Sequence, residues 1–268
     1  METKYYVYTI SVLLVLLFIE GIHEYRENKH RYFIKDTTSN ILIGAGYLFF
    51  NGLNIGIGLS AYELVYRFRF FETGQSWWVW GILVILNDFI SYWYHVAAHK
   101  INWFWATHSV HHSSEEFNLS ISFRNSWIGN LNGRFMFWVW LPFFGFEPIM
   151  ILIVYQAGLI YQAGLHTKRI GKLPQLIEFI FNTPSHHRVH HGSNAEYLDK
   201  NMGGVFIIWD RLFGTYAEEK VPVVYGLTKP VKTSNPLKLL LHEYKNLFTG
   251  ALMSGSFAKG IRHLFKAP

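Results

Sequence analysis

Three short histidine clusters hold most of the side chains in this chain that could do chemistry. They read H-x3-H, H-x2-H-H and, far downstream, H-x2-H-H again. Their members are His95, His99, His108, His111, His112, His187, His190 and His191. Because positions i, i+3 and i+4 of a helix share one face, the imidazoles of each cluster can converge on one point. The spacing therefore predicts metal binding.

The number of imidazoles predicts two metal ions rather than one. Zinc is complete at about four ligands and an octahedral ion at about six, so eight rings exceed the capacity of a single ion. His166 adds a ninth candidate ligand. Gln162, four residues earlier on the same helical face, is placed to hold a metal-bound water. His186, directly before the last cluster, is predicted to support the ligands without binding a metal.

The donor type narrows the chemistry. All-imidazole sites suit iron, zinc, copper or nickel, and two irons with open positions can bind and split dioxygen. A zinc-dependent hydrolase is the main alternative, but it usually needs a glutamate base as in H-E-x-x-H, and none of the clusters contains one. A haem- or metal-carrying electron-transfer protein is another, although it needs only two axial histidines. The chain has no cysteine, which excludes thiolate-held zinc and iron–sulfur clusters.

Two further polar residues share a helical face with the first cluster. At 100° per residue, Asp88, Tyr92, His95 and His99 fall within an arc of about 60°. An ionisable residue within an apolar segment is costly and indicates function or pairing. We predict catalytic roles for Asp88 and Tyr92, and we expect Asp88 to accept a hydrogen bond from the ring of His95 or of a nearby ligand. A structural salt bridge is the alternative for Asp88.

The elements that must position these residues are predicted to be membrane helices. The 268 residues are 50% hydrophobic and 16% charged, whereas a soluble domain is about 25% charged. Three segments have the length and polarity of a span: Tyr5–Ile22, Ile41–Leu59 and Trp77–Tyr94. A longer segment, Trp127–Leu165, is interrupted at Pro142 and predicts a helical hairpin. We therefore expect an all-α membrane bundle of about three spans and a hairpin, with a histidine-rich helical cap.

The charge pattern predicts orientation. The net charge is +6, and the basic residues flank the apolar segments instead of forming one stripe. The positive-inside rule then places the loop at 23–38 and the histidine-bearing segments on the cytoplasmic face of a multi-pass protein. Nucleic-acid binding is not expected, because no basic stripe or binding motif is present.

The chain is predicted to form one membrane-embedded catalytic domain over residues 1–268. Residues 1–76 supply accessory spans, and residues 77–215 hold the catalytic region. Residues 216–268 form a tail whose apolar helical face would lie at the membrane interface.

Four stretches of sequence carry a family resemblance when they are read together. They are DFISYWYHVAAH at 88–99, HSVHHSSEEFNLS at 108–120, NTPSHHRVHHG at 182–192, and Asp199, Asn201, Gly203 and Gly204 leading to WDRLFGT at 209–215. Together they resemble the fatty acid hydroxylase / sterol desaturase superfamily and, within it, the alkylglycerol monooxygenase-like branch. The resemblance implies an oxygen-dependent membrane enzyme with two non-haem irons. The eight clustered histidines would be iron ligands, His166 a further one, and Asn201 a supporting residue.

The resemblance also implies a reaction and its partners. We expect hydroxylation, or desaturation, of a membrane lipid or sterol-like substrate by dioxygen, with an ether lipid as one candidate. Electrons are expected from a separate donor, such as tetrahydrobiopterin or a cytochrome or ferredoxin partner. The sequence shows no pterin-binding signature, and some superfamily members have another H-x3-H where this chain has Gln162 and His166.

Overall fold

The computed structural model describes residues 15–26 and 30–268, and this part of the chain is helical, with no strand beyond two isolated bridges. The all-α prediction is thus confirmed for the described residues. The α-helices are α1 (15–26), α2 (His30–Tyr66), α3 (Trp77–Lys100), α4 (Asn102–His112), α5 (Trp140–Phe143), α6 (Pro148–Ala163), α7 (Gln175–Ile180), α8 (Pro184–His190), α9 (Ile208–Phe213), α10 (Pro236–Leu252) and α11 (Phe257–Phe265). Short 3-10 helices cover Leu119–Phe123 and Arg134–Phe137.

Helix α2 contains the segment best suited to a membrane. Among the described residues, Ile34–Tyr66 is the one helical stretch long and apolar enough to cross a bilayer, and only 22% of its most apolar part is buried inside the protein. Leu48, Phe49 and Leu53 are well exposed on its surface. Large apolar side chains that face outward along a helix are typical of lipid contact. The helix therefore indicates membrane association.

The other predicted spans fit the structure unevenly. The first ten residues of Tyr5–Ile22 lie outside the described residues, and the remainder begins α1. Trp77–Tyr94 falls entirely within α3. The segment 23–38, expected to be a loop, is helical on both sides of residues 27–29, which lie outside the described part.

The predicted hairpin over Trp127–Leu165 is wrong in its first arm. Only α6 is a continuous helix, and the residues before it form turns with two short helical pieces. Gly133 has φ +88°, which is left-handed and ends any regular helix there. The Asn130 side chain bonds across to the backbone of Asn54 in α2, and the Asn132 side chain bonds to Thr107 in α4. These tertiary bonds favour an irregular path over a helix.

The core that positions α3 lies between α3, α5 and α6. Val79 and Leu83 of α3 pack against Leu141 of α5 and against Met150 and Val154 of α6, and all five are buried. The packing fixes the helix that carries the first histidine cluster against the helix that leads to His166.

Helix α10 braces the helix of the second cluster. Leu239 and Leu240 of α10 pack in one buried cluster with Val110 of α4. The hydroxyls of Tyr244 and Thr107 lie 2.7 Å apart across the same interface. The C-terminal segment thus packs on the helix of the second histidine cluster, although it also exposes apolar side chains such as Leu252 and Phe257.

The third cluster lies on a helix with a strong start signal. Thr183 caps α8: its hydroxyl accepts from the backbone N–H of His186, and the His186 ring accepts from the backbone N–H of Thr183. Pro184 occupies the first turn. This reciprocal cap fixes the direction of a helix of only 7 residues.

Candidate metal centre

The structure brings all nine predicted histidine ligands together, in two groups. The five-histidine group comprises His95, His99, His108, His112 and His190. The four-histidine group comprises His111, His166, His187 and His191. Within each group one ring nitrogen from every member lies within 4.8 Å of all the others. Helices α4 and α8 contribute to both groups, because successive histidines on each helix point to different sides.

The spacing of the ring nitrogens fits coordination to a metal ion. The Nε2 atom of His108 lies 2.9 Å from Nε2 of His95 and 3.0 Å from Nε2 of His112. In the other group, Nε2 of His166 lies 2.9 Å from Nε2 of His187. Two ligands at right angles around an ion, each about 2.1 Å from it, would be about 3.0 Å apart. Without an ion between them, neutral imidazoles whose Nε2 lone pairs face each other would repel.

The rings are in the state that metal binding requires. Burial lowers the pKa of His166 to about 4, and it lowers the pKa of His187, His190 and His191 well below the ordinary value. The imidazoles are therefore neutral at physiological pH and keep a free lone pair. The Nε2 atoms of His99, His190 and His191 are buried and have no hydrogen-bond partner among the described residues. Both observations fit a pair of transition-metal ions.

Backbone carbonyls orient two rings of the five-histidine group. Nδ1 of His95 lies 2.8 Å from the carbonyl oxygen of Met202, and Nδ1 of His190 lies 3.0 Å from that of Lys200. A carbonyl oxygen can only accept a hydrogen bond, so each Nδ1 must carry the proton. The Nε2 atom then keeps its lone pair free for a metal. The segment 200–202 therefore sets the tautomer of two ligands on different helices.

Asp199 orients a third ring of this group. Its carboxylate accepts from Nδ1 of His99 at 3.3 Å and also binds Lys100. The hydrogen bond from His99, followed by that from Lys100, lowers the pKa of Asp199 to about 2. Asp199 has φ +57°, a left-handed conformation in the turn just before the carbonyls that accept from His190 and His95. The sequence motif contained Asp199, but nothing in the sequence indicated that its carboxylate would bind the ring of His99.

Asp88 does not bind a histidine ring, which corrects our prediction. Its carboxylate accepts from the backbone N–H of Val205 at 2.7 Å and of Phe206 at 3.1 Å, and from Nε1 of Trp209 at 2.9 Å. Asp88 precedes His95 by seven residues, or about 10.5 Å along the helix, which is too far for a side-chain contact. It instead anchors the loop whose backbone orients His95.

Asp210 anchors the same loop from its other end, and sequence reasoning missed it. Its carboxylate accepts from the backbone N–H of Met202 at 2.6 Å and of Gly203 at 2.7 Å, and from the Thr215 hydroxyl at 2.6 Å. The Tyr92 hydroxyl lies 2.9 Å from that of Thr215. Tyr92 is buried beside this anchor and does not line the cavity described below.

The predicted supporting residues occupy three different places. Asn201 donates to the carbonyl of His186 and accepts from the N–H of Ala217, which ties the loop to α8. His186 lies outside both histidine groups, with Nε2 3.0 Å from a carboxylate oxygen of Glu178. Gln162 lines the cavity beside the histidines and donates to a carbonyl one turn earlier in α6.

Arg124 holds the end of α4 and was also not predicted. Its side chain is 2% exposed. The guanidinium donates to the carbonyl of Val110, to the Ser113 hydroxyl, and to side-chain oxygens of Asp36 and Asn40 in α2. These bonds fix the last turn of α4, where two adjacent ligands belong to different groups. The signal in the sequence was a single arginine in a stretch otherwise poor in charge.

A cavity of about 320 Å³ lies beside both groups. Its lining includes His95 and His108 of the five-histidine group and His111, His166 and His187 of the four-histidine group. Polar residues near these rings are Asn87, Asp88, Ser91 and Gln162, and apolar lining residues include Leu48, Phe123, Leu159 and Ile160. A volume of this order suits a small organic ligand or part of a lipid. Both candidate metal sites thus face one substrate-sized space.

Comparison with known proteins agrees with this geometry. The fatty acid hydroxylase family model matches residues 80–215. The chain is 40% identical over 214 residues to a Homo sapiens protein named alkylglycerol monooxygenase, an alignment that covers 79% of this chain and 47% of the human protein. Proteins of the same name from Xenopus tropicalis (37% identity; 80% and 48% coverage) and Danio rerio (44%; 66% and 40%) are also similar.

The chain spans about half the length of the curated relatives it matches. No solved structure matches it. The family match nevertheless includes every residue of the two histidine groups and the loop that orients them.

Proposed function

The chain belongs to the fatty acid hydroxylase family, and on this premise we propose that it is an oxygen-dependent lipid monooxygenase with two non-haem iron ions. The observation that carries the proposal is the pair of buried histidine groups on one cavity. The five-histidine group would hold one iron and the four-histidine group the other. Iron bound there would supply the reductive activation of dioxygen.

The reaction requires two electrons and two protons from outside the substrate. A C–H bond of the substrate becomes C–OH with one atom of dioxygen, and the other atom leaves as water. The two electrons would come from a separate donor, either tetrahydrobiopterin or a cytochrome or ferredoxin partner that delivers them one at a time.

An ether lipid is the substrate that the relatives' names favour. Hydroxylation of the carbon beside the ether oxygen would give a hemiacetal, which breaks down to a fatty aldehyde and the free glycerol hydroxyl. Hydroxylation of a lipid or sterol that lacks this ether oxygen would give a stable alcohol. The proposal also covers hydroxylation of other lipid chains and desaturation of a lipid chain.

The chain's own residues would bind, orient and shield the substrate. Leu159 and Ile160 of α6 offer apolar contact, while Asn87, Ser91 and Gln162 offer hydrogen bonds close to the ligands. Burial of the rings excludes bulk water from the oxidant. The anchored loop at 199–210 would keep the ligand rings in place during turnover.

We further propose the membrane arrangement. Helix α2 would span the bilayer together with α3, α6 and the N-terminal segment, with the metal centre on the cytoplasmic face. The exposed apolar side chains of α11, among them Phe257 and Phe265, would lie at the interface. Residues 77–215 would then form the catalytic part of one domain.

The alternatives fit the site less well. A zinc hydrolase needs a carboxylate base at the metal, and within the described residues neither histidine group includes a carboxylate. Asp88 lines the cavity but is already engaged by three donors. A haem-carrying electron-transfer protein would not need nine convergent histidines.

The test is product formation by the iron-loaded full chain in a membrane or detergent. We expect oxygen-dependent conversion of an alkylglycerol to fatty aldehyde in the presence of a reductant, with loss of activity in His111→Ala. Label from 18O-dioxygen should enter the product. Turnover without oxygen, or turnover with zinc alone, would contradict the proposal.

A further inference from the structure

An arginine lies in the cavity away from the histidines. Arg134 lines the same cavity as the metal centre, together with Tyr47, Asn51, Tyr155 and Gln156. All five also line a second, smaller cavity. They come from α2, from the 3-10 helix after residue 133 and from α6. We call the part of the large cavity that these five residues line the arginine end.

The guanidinium of Arg134 has no carboxylate partner in the described part of the chain. Its Nε donates to the Asn130 side chain at 3.2 Å. Its other neighbours are the hydroxyls of Tyr47, Tyr94 and Tyr155, with the guanidinium carbon 5.7 Å from the Tyr155 ring centre. These neighbours are therefore uncharged dipoles and an aromatic face.

The depth of this charge makes it unusual. Asn51, which lines both cavities together with Arg134, lies near the middle of the candidate span Ile34–Tyr66. A cation at such a depth is costly and normally finds an opposite charge or a water-filled space. The cavity supplies the space, and the described protein supplies no anion.

Two carboxamides at the arginine end are also unused. Asn51 and Gln156 both line the cavity, and neither makes a side-chain hydrogen bond to another described residue. The neighbouring Asn54, in contrast, bonds to the carbonyl of Trp127 and to the N–H of Asn130. A polar side chain left free toward a cavity can bind a polar group of a ligand, and the amide N–H groups can donate to its oxygen atoms.

A glycine makes room for the guanidinium. A Cβ on Gly129 would lie 3.1 Å from Nη2 and 3.2 Å from Cζ of Arg134. Gly129 also lines the cavity. A Cβ there would be in tight contact with the guanidinium, which would have to move slightly to accommodate it.

We infer that the arginine end binds the head of the lipid substrate, and that this head carries a phosphate. Arg134 would pair with the phosphate oxygens, and the Asn51 and Gln156 amides would bind neighbouring oxygens. The inference rests on the proposed function, because it takes the cavity as the place of the lipid. A guanidinium pairs with phosphate in a two-bond geometry, which explains an arginine at this depth.

The test compares two lipids that differ only in the head. We would measure binding of an alkylglycerol and of the alkylglycerol phosphate with the same chain to the metal-free full chain in neutral nanodiscs. The wild type should bind the phosphate lipid at least about tenfold more tightly, the magnitude expected of a charge-assisted bond. Arg134→Gln should remove this preference, Arg134→Lys should keep part of it, and Gly129→Ala should weaken it. Arg67→Gln, at an exposed arginine, is the matched control.

Several results would overturn the inference. Arg134 would be structural if Arg134→Gln bound both lipids more weakly by the same factor and Arg134→Lys kept the full preference for the phosphate lipid. An unaltered preference in Arg134→Gln would place the head elsewhere. Displacement of the phosphate lipid by equimolar inorganic phosphate would mean that the site binds a free anion.

The assay separates this inference from the proposed function. Binding is measured without metal or oxygen, so an Arg134-dependent preference can be found even if the iron-loaded chain turns over neither lipid. That result would contradict the monooxygenase and keep the head site. Turnover by the iron-loaded chain, without any preference between the two lipids in the binding assay, would support the monooxygenase and contradict the head site.

Discussion

The two histidine groups differ in how firmly their rings are held. In the five-histidine group, His95, His99 and His190 each have the outer ring nitrogen against a carbonyl or a carboxylate, at 2.8 to 3.3 Å. In the four-histidine group, Nδ1 of His187 is buried without a partner among the described residues, and Nδ1 of His111 has no hydrogen bond of normal geometry there. His166 has only contacts of 3.4 Å from its Nδ1.

This difference has a chemical consequence. Outer hydrogen bonds fix the tautomer and direction of a ligand and strengthen metal binding. Five donors, three of them held by outer partners, also leave fewer free positions on an ion than four less constrained ones. We therefore expect the five-histidine group to hold its metal more tightly, and the four-histidine group to have more room for exogenous ligands.

Removing one central ligand from each group should give the largest effect. His108→Ala and His166→Ala should each lower the metal content from two ions to one and reduce turnover at least about 100-fold. Metal analysis of the purified variants checks the first outcome and product formation the second. His242→Ala, at a histidine bonded within α10, is the control. Loss of both ions in either variant would contradict separate sites.

Removing one outer partner should affect only the five-histidine group. Asp199→Asn weakens the hydrogen bond from His99, and we expect roughly 10- to 100-fold weaker metal binding at that group alone. Competition with a chelator of known affinity measures this change. Glu196→Gln, at an exposed carboxylate on the same segment, should have no effect. Equal weakening of both sites would show that Asp199 acts on the fold.

Chelation of the wild type should be biphasic. The ion of the four-histidine group should leave about tenfold faster, because fewer of its ligands are fixed. The time course of metal release into a chelator, followed in wild type and in His166→Ala, identifies the phases: the variant should lack the fast one. A single phase, or loss of the slow phase in His166→Ala, would reverse the comparison.

Weakening the loop anchor should give the smallest effect on the metals. Asp88→Asn replaces an acceptor that faces three donors, so the variant should unfold more easily by about 1–3 kcal/mol while still binding two ions. Thermal unfolding measures the loss, with Glu63→Gln at an exposed site as the control. Wild-type stability in Asp88→Asn would mean that the three hydrogen bonds add little.

The sequence predicted the ligands better than their supports. Periodicity was sufficient to place His95 with His99, and the nine predicted rings do come together, in two groups. The assignment of rings to groups was not predictable, because His111 and His112 are neighbours in sequence and belong to different groups. That division depends on how α4 packs against α3 and α8.

The supporting carboxylates were hidden for a similar reason. Asp88 lies on the same helical face as the ligands, yet its partners come from a loop more than 100 residues later. The first arm of the predicted hairpin failed because Asn130 and Asn132 bond to other helices, a tertiary effect that apolar composition does not reveal. Local patterns therefore predicted which histidines come together, and long-range packing decided how they are arranged.

Anomalous scattering at the iron edge, from crystals of the iron-loaded full chain, would locate the metal ions themselves. We expect two iron peaks, one within the five-histidine group and one within the four-histidine group. A single peak shared by both groups, or iron located away from these histidines, would contradict it.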